Sequence, residues 1–212
     1  MKEHGLPYCR GRSKRTLDLL LTLPALLLLS PLFVVLGLGV LFTMGRPVLF
    51  VHERAGLDGR PFGLLKFRSM RPSDDRALPI TGRGDARITP FGRFLRATKL
   101  DELPQLLNIV TGRMSIVGPR PEVMTYVTRY SPSQRRVLAV RPGLTDPASL
   151  EFHDEERLLG PVPPDEREAY YFGTILPRKL ALNLAYIEGA SLTGDVRLIV
   201  STLAALLLRA GA

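Results

Sequence analysis

Two adjacent carboxylates, Asp101 and Glu102, stand in a field of cations, with Arg93, Arg96 and Lys99 before them and Arg120 after. Those are the components of phosphoryl transfer. A carboxylate attacks phosphorus competently once cations or a divalent metal screen the phosphate charge it must approach. Asp is short and easily held in place. A neighbouring Glu can share a magnesium ion, which prefers carboxylate and phosphate oxygens and keeps several waters. Pro104 fits the first turn of a helix, where its missing donor costs nothing, so both acids fall at a helix start. The helix dipole there adds a modest attraction for phosphate. The same two residues also read as ordinary capping, Asp at the N-cap and Glu in the first turn, worth about 1 kcal/mol. Likewise Gly118-Pro119-Arg120-Pro121 is by itself a stiff turn with a solvated arginine. Spacing alone does not choose between these readings.

The elements that must position these residues follow from periodicity and turn signals. Pro47–Glu53 and Pro61–Met70 are rich in Val, Leu and Phe and are joined through Asp58-Gly59, which predicts a β-hairpin over Val48–Met70. Alternation puts Lys66 and Arg68 on one face of its second strand and Leu65, Phe67 and Ser69 on the other. That cationic pair suits a phosphate, and equally solvent or lipid headgroups. Residues 71–87 lack periodicity and read as a loop. Thr89-Pro90 predicts an N-cap and first-turn proline, followed by a helix with Phe91, Phe94, Leu95 and Thr98 along one face. Gly112 should end the helix that Asp101 and Glu102 begin. A short helix is expected from Ser131, closed by Arg141-Pro142-Gly143, and an acidic loop from Asp146 to Glu168. Helical spacing returns from Asp165 to Ile187, with a break expected at Pro177. The tail from Val196 to Leu208 is too short to span a bilayer and suits a core or interfacial helix.

Ahead of all this, residues 19–42 carry no charge, a run long enough as a helix to cross a hydrocarbon core of about 30 Å. It exceeds the apolar core of a signal peptide, and no small-residue cleavage site follows. Pro24 and Pro31 each remove a backbone donor inside it. A break at Ser30-Pro31 would let the segment fold back, with the Ser30 hydroxyl one candidate partner for a freed carbonyl. Cations flank both ends, Lys2, Arg10, Arg12, Lys14 and Arg15 before and Arg46, Arg54, Arg60, Lys66 and Arg68 after, which favours one side of the membrane for both. Composition by itself leaves a spanning and a re-entrant helix evenly matched. The expected organisation is a basic segment with a membrane helix over 1–47 and a catalytic domain with interfacial helices over 48–212.

At 212 residues the chain is large enough for one such domain and too short for two catalytic ones. Its formal charge of +9 suits a membrane surface or phosphorylated ligands. The absence of Trp and the scattered aromatics argue against a nucleic-acid partner. Cys9 is the single cysteine, so no intrachain disulfide forms. His4, His52 and His153 lie far apart and form no zinc pattern.

The ordered series of motifs carries more than any one of them. Lys14-Arg15 with Asp18, Ser30-Pro31, Lys66-Phe67-Arg68-Ser69-Met70, Asp101-Glu102-Leu103-Pro104-Gln105, Ser115-Ile116-Val117-Gly118-Pro119-Arg120-Pro121 and Arg141-Pro142-Gly143-Leu144-Thr145 resemble the bacterial sugar transferase family, the monotopic phosphoglycosyl transferases. The resemblance runs from about Lys14 to Thr145 and more loosely to the end.

It implies an α+β fold, mainly helical and monotopic, with a re-entrant N-terminal helix broken at Ser30-Pro31, a small β-hairpin and a catalytic domain facing the cytoplasm at the bacterial inner membrane. It implies that Asp101 attacks the β-phosphate of a UDP-sugar, releases UMP and passes the phosphosugar to polyprenyl (undecaprenyl) phosphate, with Glu102 beside it and magnesium as cofactor. Arg96 and Arg120 match arginines that neutralise phosphate oxygens; Lys66 and Arg68 are further candidates. Membrane lipids are implied partners, and a homodimer is left open. Two departures stand out. Asp146-Pro147-Ala148-Ser149-Leu150-Glu151-Phe152 replaces a stretch in which many members carry a glycine and then a glutamine, and the several-helix N-terminal domain of larger members is missing, which marks the small form. A membrane-anchored scaffold and a glycosyl transferase that releases UDP are the competing functions.

Overall fold

The computed structural model describes residues 5–71, 87–152, 158–163 and 165–210, with side chains given through Leu206 and at Leu208. The expected loop over 71–87 therefore lies almost wholly outside the described residues, as does part of the acidic stretch.

A short helix α1 (Leu6–Arg10) leads into α2 (Arg12–Met44), a single 33-residue helix. At 1.5 Å per residue it measures about 50 Å along its axis. At the expected break, Ser30-Pro31, the helix continues, and neither Pro24 nor Pro31 takes the backbone out of helical conformation. The reason is local. Pro31 leaves the Leu27 carbonyl without its usual donor, and the Ser30 hydroxyl donates to that oxygen at 2.8 Å. Along α2 a stripe at spacings of three and four faces protein: Lys14, Asp18, Thr22, Leu36 and Val40 are buried, and Leu26, Leu29, Leu32 and Phe33 pack between them. The opposite face, with Leu20, Leu27, Leu28, Val34, Val35 and Phe42, is exposed and apolar. A helix apolar all round must be covered all round, and here the protein covers one side only.

The hairpin forms as expected, from β1 (Leu49–Ala55) and β2 (Pro61–Phe67), with Asp58 and Gly59 at positive φ in the turn. Helix α3 (Pro90–Ala97) starts at Thr89, whose hydroxyl accepts from the Gly92 amide at 2.9 Å. Gly92 has no alternative there, since any Cβ would run into the Ser69 carbonyl of the chain leaving β2. A 3-10 turn (Leu100–Glu102) then precedes α4 (Gln105–Val110), which ends at Gly112 in the left-handed region.

Periodicity did not announce the next element. Strand β3 (Ser115–Val117) pairs in parallel with β4 (Gly143–Thr145), and the two backbones come so close that a Cβ at Gly143 would overlap Gly118. Between them lie α5 (Met124–Val127) and a 3-10 turn (Gln134–Ala139) where a short helix was expected. Helix α6 (Pro147–Glu151) replaces the start of the expected acidic loop, with Asp146 as its N-cap. Helix α7 (Arg167–Tyr170) continues through a π-turn (Tyr171–Ile175) into α8 (Leu176–Gly189), so the break at Pro177 takes the form of a widened turn just before it. Helix α9 (Leu192–Ala210) closes the chain. One face of it joins the core, with Asp195 buried and Leu198 and Ile199 packed there, while Val196, Val200 and Leu203 on the other are exposed. The fold is mainly helical with small two-stranded sheets and one long apolar N-terminal helix.

Candidate active site

The Asp101–Glu102 doublet sits in the 3-10 turn, held from both sides. Lys99, at the left-handed φ of 59°, turns the chain out of α3. On the far side Asn108, buried on α4, accepts from the Leu65 amide at 2.9 Å and donates to the Gly63 carbonyl at 2.8 Å. Its side chain thereby stands in for a neighbouring strand along β2 and fixes Lys66 against the doublet.

Capping does not explain the two acids. The N-cap of α4 is Pro104, no side chain caps that helix or the 3-10 turn, and Asp101 Oδ1 is buried with no hydrogen-bond partner among the described residues. Glu102 faces away from the helix start as well. Its Oε1 accepts from Arg120 Nη2 at 2.5 Å and Lys66 Nζ at 3.1 Å, and its Oε2 from Arg120 Nη1 at 3.3 Å. A planar guanidinium grips a carboxylate through two parallel bonds in this way.

The two carboxyls are driven in opposite directions. Burial raises Asp101 above its ordinary value, and Glu102 adds to that, against the opposing pull of Lys66, Lys99 and Arg96. Burial would raise Glu102 too, but Arg120 and Lys66 outweigh it and hold the group well below the usual carboxylate range. Glu102 in turn raises Arg120, while desolvation lowers Lys66 despite its acidic partner. Glu102 is thus a fixed anion, and Asp101 a destabilised one with a bare oxygen.

Arg120 is itself held from behind. Its backbone amide donates to Asp146 Oδ2 at 2.7 Å, and the other carboxylate oxygen, Oδ1, accepts from the Ser149 amide. The following Glu122 is clamped by the Tyr171 hydroxyl at 2.8 Å, and its carbonyl accepts from the Ala55 amide at 2.9 Å. Arg54 Nη1 reaches the Pro121 carbonyl at 3.4 Å. The proline-rich loop is therefore a rigid mount for one guanidinium.

A model of the bacterial sugar transferase family matches residues 9–209. A UDP-glucose:undecaprenyl-phosphate glucose-1-phosphate transferase of Xanthomonas campestris pv. campestris is 37% identical over 195 residues, covering 90% of this chain and 38% of the relative. The exopolysaccharide production protein ExoY of Sinorhizobium fredii is 35% identical over 218 residues, 95% of this chain and 88% of its own. A UDP-galactose-lipid carrier transferase of Erwinia amylovora is 40% identical over 148 residues, 62% of this chain and 31% of its own. The chain belongs to the bacterial sugar transferase family. It spans less than two fifths of the Xanthomonas and Erwinia relatives and most of the Sinorhizobium one.

In this family member the structure gathers Asp101, Glu102, Lys66 and Arg120 directly, and Arg96 and Lys99 act on Asp101 through their charge. It does not gather Arg68. That arginine, expected to share a phosphate with Lys66, gives Nη1 to the Arg46 carbonyl at 2.9 Å and Nε to the Met70 carbonyl at 3.2 Å. The reason is that the chain leaving α2 exposes carbonyls with no strand partner, and Arg68 satisfies them.

Arg15 and Asp18, ahead of the apolar run, also make structural contacts. Arg15 donates to the Ile109 and Val110 carbonyls that end α4, and Asp18 accepts from the Ser115 hydroxyl and the Ile116 amide. Asp146 was missed. The signal was present, since Asp before Pro is an N-cap followed by a first-turn proline, but its contact with Arg120 comes from 26 residues away and leaves no local trace.

Proposed function

We propose that the chain is a phosphoglycosyl transferase that moves a phosphosugar from a UDP-sugar to polyprenyl (undecaprenyl) phosphate, as the first membrane step of glycan or polysaccharide assembly. One observation carries this reading: a buried carboxylate with an unpartnered oxygen lies beside a guanidinium–carboxylate–ammonium cluster. A carboxylate oxygen without a hydrogen bond is ready to form a bond, and the cations beside it offset the charge of an incoming diphosphate.

In the proposed course, an Asp101 carboxylate oxygen attacks the β-phosphorus. The bond from that phosphorus to the bridging oxygen breaks, UMP leaves with the electron pair, and the phosphosugar stays on Asp101 as an acyl phosphate. A phosphate oxygen of the polyprenyl acceptor then attacks the same phosphorus and frees the carboxylate. Arg120, Lys66 and Arg96 face the non-bridging oxygens. The doublet fits magnesium of the kind that draws most of its ligands from substrate and water, because Asp101 Oδ1 is uncommitted while Glu102 is largely engaged. Bound there, the ion would add Lewis-acid neutralisation of the diphosphate.

Both halves of α2 pack on one body, through Lys14 and Asp18 near its start and Leu36 and Val40 near its end. That arrangement supports a segment that enters the lipid and stays on one side, with the domain on the cytoplasmic face of the inner membrane and lipid covering the exposed apolar face. The test is Asp101→Asn. It should reduce UMP release to background and abolish the covalent phosphosugar adduct seen by intact-protein mass spectrometry, while membrane binding and melting stay close to the native chain. Turnover that survives the substitution removes Asp101 from the chemistry, and release of UDP in place of UMP points to direct glycosyl transfer.

A further inference from the structure

Behind the Pro119–Glu122 loop lies a recess that opens toward solvent. Its polar lining includes Arg120, Glu122, Asp146, Ser149, Lys179 and Asn183, set against apolar walls that include Val137 and Leu176. Asn183 on α8 is 4% exposed, and its Oδ1 is buried with no hydrogen-bond partner among the described residues. Its amide nitrogen faces Asp146 Oδ2 at 3.5 Å. That contact fixes the orientation, because turning the amide over would set two acceptors against each other. Leaving an acceptor buried and unpaired costs about 1–3 kcal/mol, so such a group calls for a donor that arrives from outside the chain.

We infer that this recess receives the sugar ring of the donor, with Asn183 Oδ1 accepting from a sugar hydroxyl, and that it is where this chain discriminates among sugars. The inference rests on the transferase reading above and deepens it. Three observations favour the sugar over the nucleoside. Arg120 lines the recess and also grips Glu102, so one residue joins the recess to the doublet, and in a UDP-sugar the sugar is bonded to the phosphate that Asp101 would attack. The sugar must stay in place through both half-reactions while the nucleotide departs, which suits walls made of α6, α8 and a braced loop. A hexose also presents hydroxyls and an apolar C–H face, the mixture found on these walls. Overall similarity does not set the sugar, since relatives named for glucose and for galactose resemble this chain at 37% and 40% identity.

The experiment measures UMP release by the full chain in nanodiscs with UDP-glucose, UDP-galactose and their N-acetyl counterparts, and inhibition by UDP, which carries no sugar. Asn183→Leu should lower kcat/KM for the preferred donor about tenfold or more and change the ranking of the four donors. Inhibition by UDP should be unaltered. Ser149→Leu, at a half-buried position of the same wall, should act in the same direction and serves if the first variant does not fold. An unchanged ranking and kcat/KM in a folded variant overturns the assignment, as does UDP inhibition that weakens in step with donor binding. Absence of UMP release by the native chain with every donor overturns the transferase reading itself and this inference with it; normal native turnover beside an indifferent variant overturns this inference alone.

Discussion

Asp101 and Glu102 are chain neighbours in the same turn, yet the fold gives them opposite electrostatic surroundings. Glu102 is gripped by Arg120 and Lys66 and stays ionised well below the ordinary carboxylate range. Asp101 is lifted by burial, and the largest opposing influence is Lys66. The sign of a test follows. Asp101 as the proposed nucleophile must be deprotonated, so the rate should fall as pH drops through its raised value. Lys66→Met removes the main influence that lowers it, raises it further, and should move the acid limb of the kcat profile to higher pH. A profile measured from UMP release with saturating donor checks this. An acid limb that stays put, or moves to lower pH, would mean that Lys66 does not act on the nucleophile.

At the scale of elements, α2 is docked by polar residues as much as by apolar ones. Lys14 Nζ meets Asp195 Oδ2 at 2.5 Å with both side chains almost wholly buried, and the Tyr8 and Tyr186 hydroxyls donate to the same carboxylate at 2.8 and 2.7 Å. The pair joins the start of α2 to α9 across 181 residues. Removing one member of a buried ion pair strands the other, at a cost of about 3–5 kcal/mol. Lys14→Met should therefore lower the melting temperature of the detergent-solubilised protein markedly. The double change Lys14→Met with Asp195→Leu should recover most of that loss, since apolar replacement of both partners is close to neutral. A double variant as weak as the single one would place the damage in packing and not in the stranded charge.

For the molecule as a whole, the deciding feature is an exposed apolar surface on one face of α2, with Phe50 and Val51 of β1, Phe94 of α3 and the Val196, Val200 and Leu203 stripe of α9 also uncovered. Soluble proteins seldom leave so much apolar surface bare, and lipid is a covering that fits a helix without charge from residue 19 to its end. With both halves of α2 seated on the same domain, accessibility reporters placed before Lys14 and after Leu208 should both label from the cytoplasmic side in intact cells. Labelling from opposite sides would restore a helix that crosses.

The sequence by itself determined the elements whose causes are local. The hairpin follows from Asp58-Gly59 between alternating strands, α3 from Thr89-Pro90, the end of α4 from Gly112, and the apolar run from its own composition. It also marked the acidic doublet as chemically suited to phosphorus. Tertiary structure alone decided whether those acids cap a helix or meet cations, because Lys66 and Arg120 reach Glu102 from 36 and 18 residues away. It also decided that Arg68 braces a backbone, that Asp146 braces the arginine loop, that β3 finds β4 across the 25 residues between them, and that the Ser30 hydroxyl meets the carbonyl that Pro31 leaves free. Periodicity reports which face of an element is apolar; it says nothing of which distant polar group will meet it, and in this protein those meetings assign the roles.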